Sequence, residues 1–432
     1  MNNVDKQYLT LLKDIIDNGV WKNTRSGRVK SVFGRTMRFN LNEGLPLLTT
    51  KKVFTKGIIY ELLWFLKGDT NIKYLVDNNV HIWDDDAFRW FKTLDFKYLE
   101  REESYYDEED NKTHIDVHGY YKLDYCIFDL EDDIENSYTI VLNDDIQNEI
   151  SVTIEDLKNI TKEQFVDYVK KNAWIHRYDI YQGRKVSDKK IYQFGDLGEI
   201  YGKQWRNYGV SEKDQIANII NTLKTNPDDR RMVLNAWNPD VLDNIALPAC
   251  HMFATFWTRE LTKEERIGIW FNKHNLNEEI FNNDKFESHS ENYYLFKQYF
   301  HEKTITADEL IKKIENENIP TRELSCSFTM RSNDWCCGCP YNCVSYSILT
   351  HLIAQVCNMS VGELIYYGLD CHVYENHMDA ANEQLARDPF KYNLPILSLN
   401  KEITNIDDFK FEDIKILNYE SYSPIKYPLN VG

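Results

Sequence analysis

The stretch Ala246-Leu247-Pro248-Ala249-Cys250-His251-Met252-Phe253-Ala254-Thr255-Phe256-Trp257 changes character at Cys250. Before the cysteine, the proline and small residues read as a loop. After it, the apolar and β-favouring run Met252 to Trp257 reads as a strand of a buried sheet. A cysteine at the junction of loop and strand is a candidate nucleophile, because a thiolate is the most reactive ordinary side chain once positive charge favours its ionisation. Arg230 and Arg231 lie just upstream and can supply that charge. Taken alone, a cysteine more often packs as a small buried hydrophobe, and the surrounding motifs decide otherwise.

Working outward, Met232 to Trp237, Leu324 to Met330 and Leu364 to Tyr374 also read as strands, and Arg28 to Asn40 as extended chain. Helical periodicity marks residues 4 to 17, Asn342 to Val356 and Asn376 to Arg387. Ser211-x-x-Asp214 resembles a helix start leading into Ile216 to Leu223, and Asn226-Pro227-Asp228-Asp229 reads as a turn. Strands and helices interleave without strict alternation, so the fold class is α/β of the α+β type, a mixed sheet with flanking helices. Ile58 to Leu66 is a nearly all-apolar helix that carries one acid, Glu61, and stops at Gly68. A lone buried acid is either held by hydrogen bonds or kept protonated for catalysis, and taken alone the first reading is favoured.

The 432 residues are 42% hydrophobic, enough to bury a large core. Lys and Arg number 51 against 69 Asp and Glu, a net charge of -18 that argues against non-specific nucleic-acid binding and requires a local arginine cluster for any anionic substrate. No apolar run reaches membrane-spanning length, and Met1-Asn2-Asn3-Val4-Asp5-Lys6 is too polar for a signal peptide, so a cytoplasmic location is expected. Nine cysteines are too sparse for a disulfide scaffold. Cys336-x-x-Cys339 lacks a second pair at finger-like spacing, so no metal is expected. Two segments, 88–193 and 259–322, differ from this background and read as insertions into one domain spanning 1–432. The first is acidic and tyrosine-rich, and the second is rich in Asn, Glu and Lys.

Several motifs follow one another in order: Arg25-Ser26-Gly27, Glu61 to Leu66, Ile82-Trp83-Asp84, Gly195 to Arg206, Asp229-Arg230-Arg231, Cys250-His251, Arg331 to Asp334, Gly338-x-Pro340-Tyr341-Asn342, and His372-Val373-Tyr374-x-Asn376-His377. Together they resemble the thymidylate synthase and pyrimidine deoxynucleotide hydroxymethylase family over nearly everything but the two insertions. The resemblance implies a dimer with sheets packed back to back, a substrate dUMP, and 5,10-methylenetetrahydrofolate as cosubstrate. It also implies roles for particular residues. Cys250 would be the nucleophile, with Glu61 and Tyr201 organising proton transfer. Arg25, Arg331 and Ser332 would hold phosphate in their own subunit, and Arg230 and Arg231 would reach in from the partner. His372 and Tyr374 would hold the sugar hydroxyl, although as bare residues on a strand they could be core. Asn342, a carboxamide that both donates and accepts, matches a uracil edge, where aspartate would suit cytosine. Asp334 would bind the pterin, walled by Ile82, Trp83, Leu247, Gly338 and Tyr341.

The chain also departs from the pattern. Asp86 stands where bacterial synthases carry a second tryptophan, Ala249 replaces proline, Met330 replaces glutamine, and the tail Pro424 to Gly432 is only loosely similar. A looser lid would admit water, so dUMP hydroxymethylase is the alternative activity. A binding protein without catalysis is a third reading, supported only by the size of the insertions.

Overall fold

In the computed structural model, residues 2–96, 102–106, 112–113, 135–181, 184–276 and 291–428 are described. Helix α1 (Asn3–Asn18) starts where the Asn2 side chain accepts the N–H groups of Val4 and Asp5, and it buries the stripe Val4, Tyr8, Leu9, Leu12 and Ile15. Its buried Asp5 accepts the backbone N–H groups of Thr49 and Thr50 at 2.9 and 3.0 Å, tying the helix to the segment that leads into α2 (Thr55–Leu66).

The main sheet has six strands: β1 (Val20–Thr24), β2 (Gly27–Asn40), β3 (Val233–Asn235), β4 (His251–Glu260), β5 (Arg322–Asp334) and β6 (Ser360–Tyr374). Their order is β1-β2-β6-β5-β4-β3. Only β5 and β6 are parallel; the other neighbours are antiparallel, so the sheet is mixed. One face, bearing Ala254, Phe256, Phe328, Met330, Leu364 and Tyr366, is buried in the main core. The opposite face aligns Val233, Thr255, Ser327 and Ile365 by register, and carries the exposed Trp257 and Tyr367.

Five further helices position the site: α3 (Asp84–Thr93), α4 (Tyr201–Arg206), α5 (Gln215–Thr225), α6 (Gly338–Val356) and α7 (Met378–Leu385). Helix α6 is buried along nearly its whole length, with Tyr346 stacked on Phe328 of β5 at 4.3 Å. Helix α4 comes against α2 at Gly202, where a Cβ would lie 2.7 Å from the Phe65 carbonyl oxygen. Gly68 ends α2 with φ +68°, a left-handed conformation that glycine adopts freely. Helix α5 is capped by Asp214, whose side chain accepts the Ala217 N–H. Ser211 instead lies in the preceding turn, so the expected box begins three residues late.

The described part of 88–193 holds a six-stranded antiparallel sheet whose longest strands are Glu135–Leu142, Asp145–Val152, Trp174–Tyr181 and Arg184–Gln193. Its Ile140, Phe165, Val169, Ile175 and Ile191 join the main core. The segment between β4 and β5 has a separate small core of Ile267, Trp270, Phe271, Leu295, Phe296, Leu310 and Ile314.

Candidate active site

Cys250 immediately precedes β4, and two neighbours hold it. Its N–H donates to the Tyr201 hydroxyl at 2.8 Å. Its carbonyl accepts the Arg331 N–H at 2.9 Å. The Arg331 side chain then reaches over the loop, donating from Nε to the Ala249 carbonyl and from Nη2 to the Pro248 carbonyl, both at 2.8 Å. That leaves Nη2 3.9 Å from Cys250 Sγ, and the guanidinium lies over the Trp237 ring at 5.4 Å. One arginine therefore fixes the loop and sets positive charge beside the sulfur. Burial nevertheless pushes the thiol up, while Arg331 and the Tyr201 hydrogen bond pull it down and Asp86 adds to the rise. The resting sulfur is a thiol, with Arg331 placed to receive charge as the sulfur reacts.

The acid flagged in the sequence lies on α2. Glu61 Oε1 accepts the Trp83 indole N–H at 2.7 Å. Burial raises this carboxyl to about 7, against the lowering effect of the indole bond. Tyr201, a non-glycine residue with φ +21°, opens α4 beneath it, and burial, the Cys250 sulfur and Glu61 all raise the phenol. Its ring stacks on His251 at 4.1 Å. Histidine beside a cysteine suggests a base, but burial holds His251 down at about 3, so it is neutral at working pH. Its Nδ1 faces the Tyr346 hydroxyl at 2.9 Å. His251 and Tyr346 thus support Tyr201 as packing, a role the sequence did not reveal because α4, β4 and α6 meet only in the fold.

The end of β5 and the start of α6 form the other wall. Asp334 Oδ1 accepts the N–H groups of Cys336 and Cys337 at 2.9 and 3.2 Å, closing the turn into α6, while its side chain stays 20% exposed. A Cβ on Gly338 would meet Asn333 Oδ1 at 3.1 Å and Asn342 Oδ1 at 3.5 Å, which places the Asn342 amide one turn along the helix from the Asp334 bend. Tyr341 lies near Gly57 of α2, and Glu61 raises its phenol after the larger effect of burial. On β6, His372 and Tyr374 meet edge to face at 5.3 Å. Burial, Asp334 and the Cys250 sulfur raise the Tyr374 phenol, while a hydrogen bond from Ser26 lowers it. Cys250, Glu61, Trp83, Tyr201, Arg331, Asp334, Tyr341 and Tyr374 are therefore linked in one chain of pairwise contacts and electrostatic interactions. Ile82, Leu247, Ser332, Gly338 and Asn342 are half-buried.

A supporting group that the sequence missed is Asp370. Its Oδ1 faces His372 Nδ1 at 3.3 Å, and Lys22 and Ser31 each donate to its carboxylate at 2.8 Å. His372 and these donors hold its carboxyl well below the usual range. Only the pairing of β1, β2 and β6 brings these residues together, so no local motif could have signalled them.

Three predicted phosphate arginines stand apart from the cluster. Arg25 is exposed in the β1–β2 turn, whose Ser26 bonds Tyr374. Arg230 is exposed, and the Arg231 side chain is 88% exposed and paired with Asp229 at 2.5 Å, so neither supplies charge to Cys250 of its own chain. At the departure positions, Asp86 pairs with Arg89 at 2.8 Å, and Arg89 contacts the Ala246 carbonyl at 3.4 Å. The tail is packed through Tyr427 and Pro428, with the Pro428 carbonyl accepting from His377 Nε2 at 2.6 Å; its last residues, 429–432, lie outside the described set.

A family model described as thymidylate synthase matches residues 6–273 and 304–431. The chain belongs to the thymidylate synthase family. Among the relatives, a thymidylate synthase of Mycoplasma mobile is 33% identical over 425 residues, 98% of each chain. One from Coxiella burnetii is 32% identical over 430 residues, covering 99% of this chain and 100% of its own. One from Francisella tularensis subsp. holarctica is 31% identical over 440 residues, with the same coverage. At that coverage the alignments run through both long segments of this chain. The mixed sheet with flanking helices agrees with family membership.

Proposed function

We propose that this chain methylates dUMP to dTMP, with 5,10-methylenetetrahydrofolate supplying carbon and hydride. The carrying observation is that the Arg331 cation and the Tyr201 hydroxyl meet at Cys250, with the buried Glu61–Trp83 pair set against Tyr201. Uracil carbon 5 is a poor nucleophile until a group adds at carbon 6, and addition there turns one hard step into two easier ones. Cys250 Sγ forms the bond to carbon 6, and negative charge passes to the ring oxygen. Arg331 assists as the sulfur gives up its proton to water. Asn342 matches the uracil edge with one donor and one acceptor. His372, oriented by Asp370, and Tyr374 hold the deoxyribose hydroxyl.

Phosphate goes to Arg331, Ser332 and Arg25, because guanidinium forks donate paired hydrogen bonds to its oxygens. Arg230 and Arg231, exposed on one chain, complete the phosphate site of a partner in a homodimer. The exposed sheet face with Val233, Trp257 and Tyr367 supports that assembly, since a large apolar patch rarely faces water alone. The folate fits between Asp334, which keeps an exposed carboxylate edge, and the aromatic walls Trp83 and Tyr341, with Ile82, Leu247 and Gly338 beside them. Glu61, raised to about 7, takes the carbon 5 proton with Tyr201 and water as relay.

Segments 88–193 and 259–322 are insertions on one catalytic domain. A cytoplasmic setting suits the reaction, and among the described residues no helix is long and apolar enough to cross a membrane.

The competing product is 5-hydroxymethyl-dUMP, favoured by charged Asp86 and Arg89 where an aromatic shield is usual. The relatives are named for the synthase reaction. Mass measurement of the nucleotide product, with dihydrofolate absorbance, separates the two. A methyl product with one dihydrofolate per turnover supports this reading, and a hydroxymethyl product with none refutes it.

A further inference from the structure

The absence of a metal set in the sequence rests on cysteine spacing, but the fold gathers other donors. Asp334 at the end of β5, Cys336 in the next turn and His377 just after β6 bring a carboxylate oxygen, a sulfur and a ring nitrogen within 4.8 Å of one another. Asp334 Oδ1 and His377 Nδ1 are 3.9 Å apart. Cys336 and His377 are fully buried, whereas the Asp334 side chain is 20% exposed and provides an approach from solvent. The orientation of the imidazole is a second, independent observation. His377 Nε2 lies 2.6 Å from the Pro428 carbonyl oxygen. A carbonyl can only accept, so Nε2 carries the proton, and in the neutral ring Nδ1 presents its lone pair on the Asp334 side. Metal-bound histidines are held in this way, with the outer N–H given to a carbonyl or carboxylate.

We propose that Asp334, Cys336 and His377 form a site for a thiophilic divalent cation of the Zn2+ type. Three protein ligands with mixed O, S and N donors leave a fourth position for water, with the half-buried Cys337 beside it. Ideal bond lengths put tetrahedral donors about 3.4–3.6 Å apart, so a spacing of up to 4.8 Å closes by at most about 1.4 Å through side-chain adjustment. Binding forms a sulfur–metal bond and releases the Cys336 proton to solvent, which offsets the cost of burying a thiolate. The Lys51 ammonium, which donates to the Cys336 carbonyl, opposes the added charge and keeps the affinity below that of a structural zinc finger. On the reading above, Asp334 also binds the pterin, so cation and folate exclude each other and the cation inhibits.

The test titrates Co2+ into the whole purified protein and follows the near-ultraviolet thiolate-to-cobalt band, then displaces it with Zn2+. One equivalent of Co2+ producing the band is expected. The band is lost in Cys336→Val and retained in Cys250→Ala and Cys339→Ala. His377→Gln, which keeps a donor for the Pro428 carbonyl, weakens Co2+ binding at least about tenfold and serves if Cys336→Val does not fold. The proposal is overturned by no thiolate band in excess Co2+, by a band that survives Cys336→Val, or by one that disappears in Cys250→Ala. Added tetrahydrofolate displaces the cation if Asp334 serves both. Cobalt binding indifferent to folate upholds the metal site and removes Asp334 from the folate site.

Discussion

Replacing Glu61 by glutamine tests whether the acid on α2 is held protonated by its surroundings. An ordinary glutamate titrates near 4.5, and burial raises Glu61 to about 7. Between those values the folded protein retains a proton that the unfolded chain has lost, so folding stability falls as pH rises. The carboxyl costs nothing below 4.5, and above 7 the full penalty is present. About 2.5 pH units at roughly 1.36 kcal/mol each give a penalty of about 3 kcal/mol. Glutamine cannot ionise and keeps an oxygen to accept the Trp83 N–H. Relative to wild type, Glu61→Gln therefore becomes more stable by about 3 kcal/mol on going from pH 4.5 to pH 8, measured by urea unfolding at both values. Turnover drops at the same time, and the ionisation near 7 leaves its pH profile. A stability difference that is the same at both pH values would refute the claim that Glu61 is raised, and an unchanged pH–rate profile would remove it from proton transfer.

Three further outcomes follow from the same geometry. Arg331→Met removes a cation 3.9 Å from Cys250 Sγ, an interaction of at most about 4 kcal/mol at an effective dielectric near 20. Alkylation of Cys250 by iodoacetamide at pH 8 slows at least about tenfold, and an unchanged rate contradicts the assigned electrostatics. Asn342→Asp moves the ratio of kcat/KM values from dUMP towards dCMP by about a hundredfold, from two hydrogen bonds of about 1–1.5 kcal/mol each; a preserved uracil preference counts against base reading by this residue. Arg231→Glu and Cys250→Ser subunits are each inactive, yet an equilibrated equal mixture regains about a quarter of the wild-type activity, because half the dimers carry one intact site. No recovery in verified heterodimers rules out sites shared between subunits.

What the sequence revealed follows from the range of the interactions involved. Helix α2 and its single acid were legible because the nine-residue apolar run Ile58 to Leu66 leaves Glu61 conspicuous. Strands β4, β5 and β6 were legible from their apolar runs, although β3 is confined to Val233–Asn235, the part in ladder register with β4, while Met232, Ala236 and Trp237 make only single flanking bonds to it. The neutral state of His251 was hidden, since it depends on Tyr201 and Tyr346 from distant segments closing over the ring. Asp370 was hidden for the same reason. Upstream Arg230 and Arg231 face solvent, and Arg331, 81 residues along the chain, is the cation beside the sulfur, a pairing that spacing alone does not reveal. Donor sets such as Asp334, Cys336 and His377 escape spacing rules because β6 separates the histidine from the other two.

The central claim is a transient bond from Cys250 to the pyrimidine ring. It is tested most directly by incubating the protein with 5-fluoro-dUMP and 5,10-methylenetetrahydrofolate, digesting it, and weighing the peptide that contains Cys250. The account predicts one nucleotide and one folate carried together on Cys250, and none on the Cys250→Ser protein. An unmodified Cys250 peptide, or an adduct on another cysteine, would contradict it.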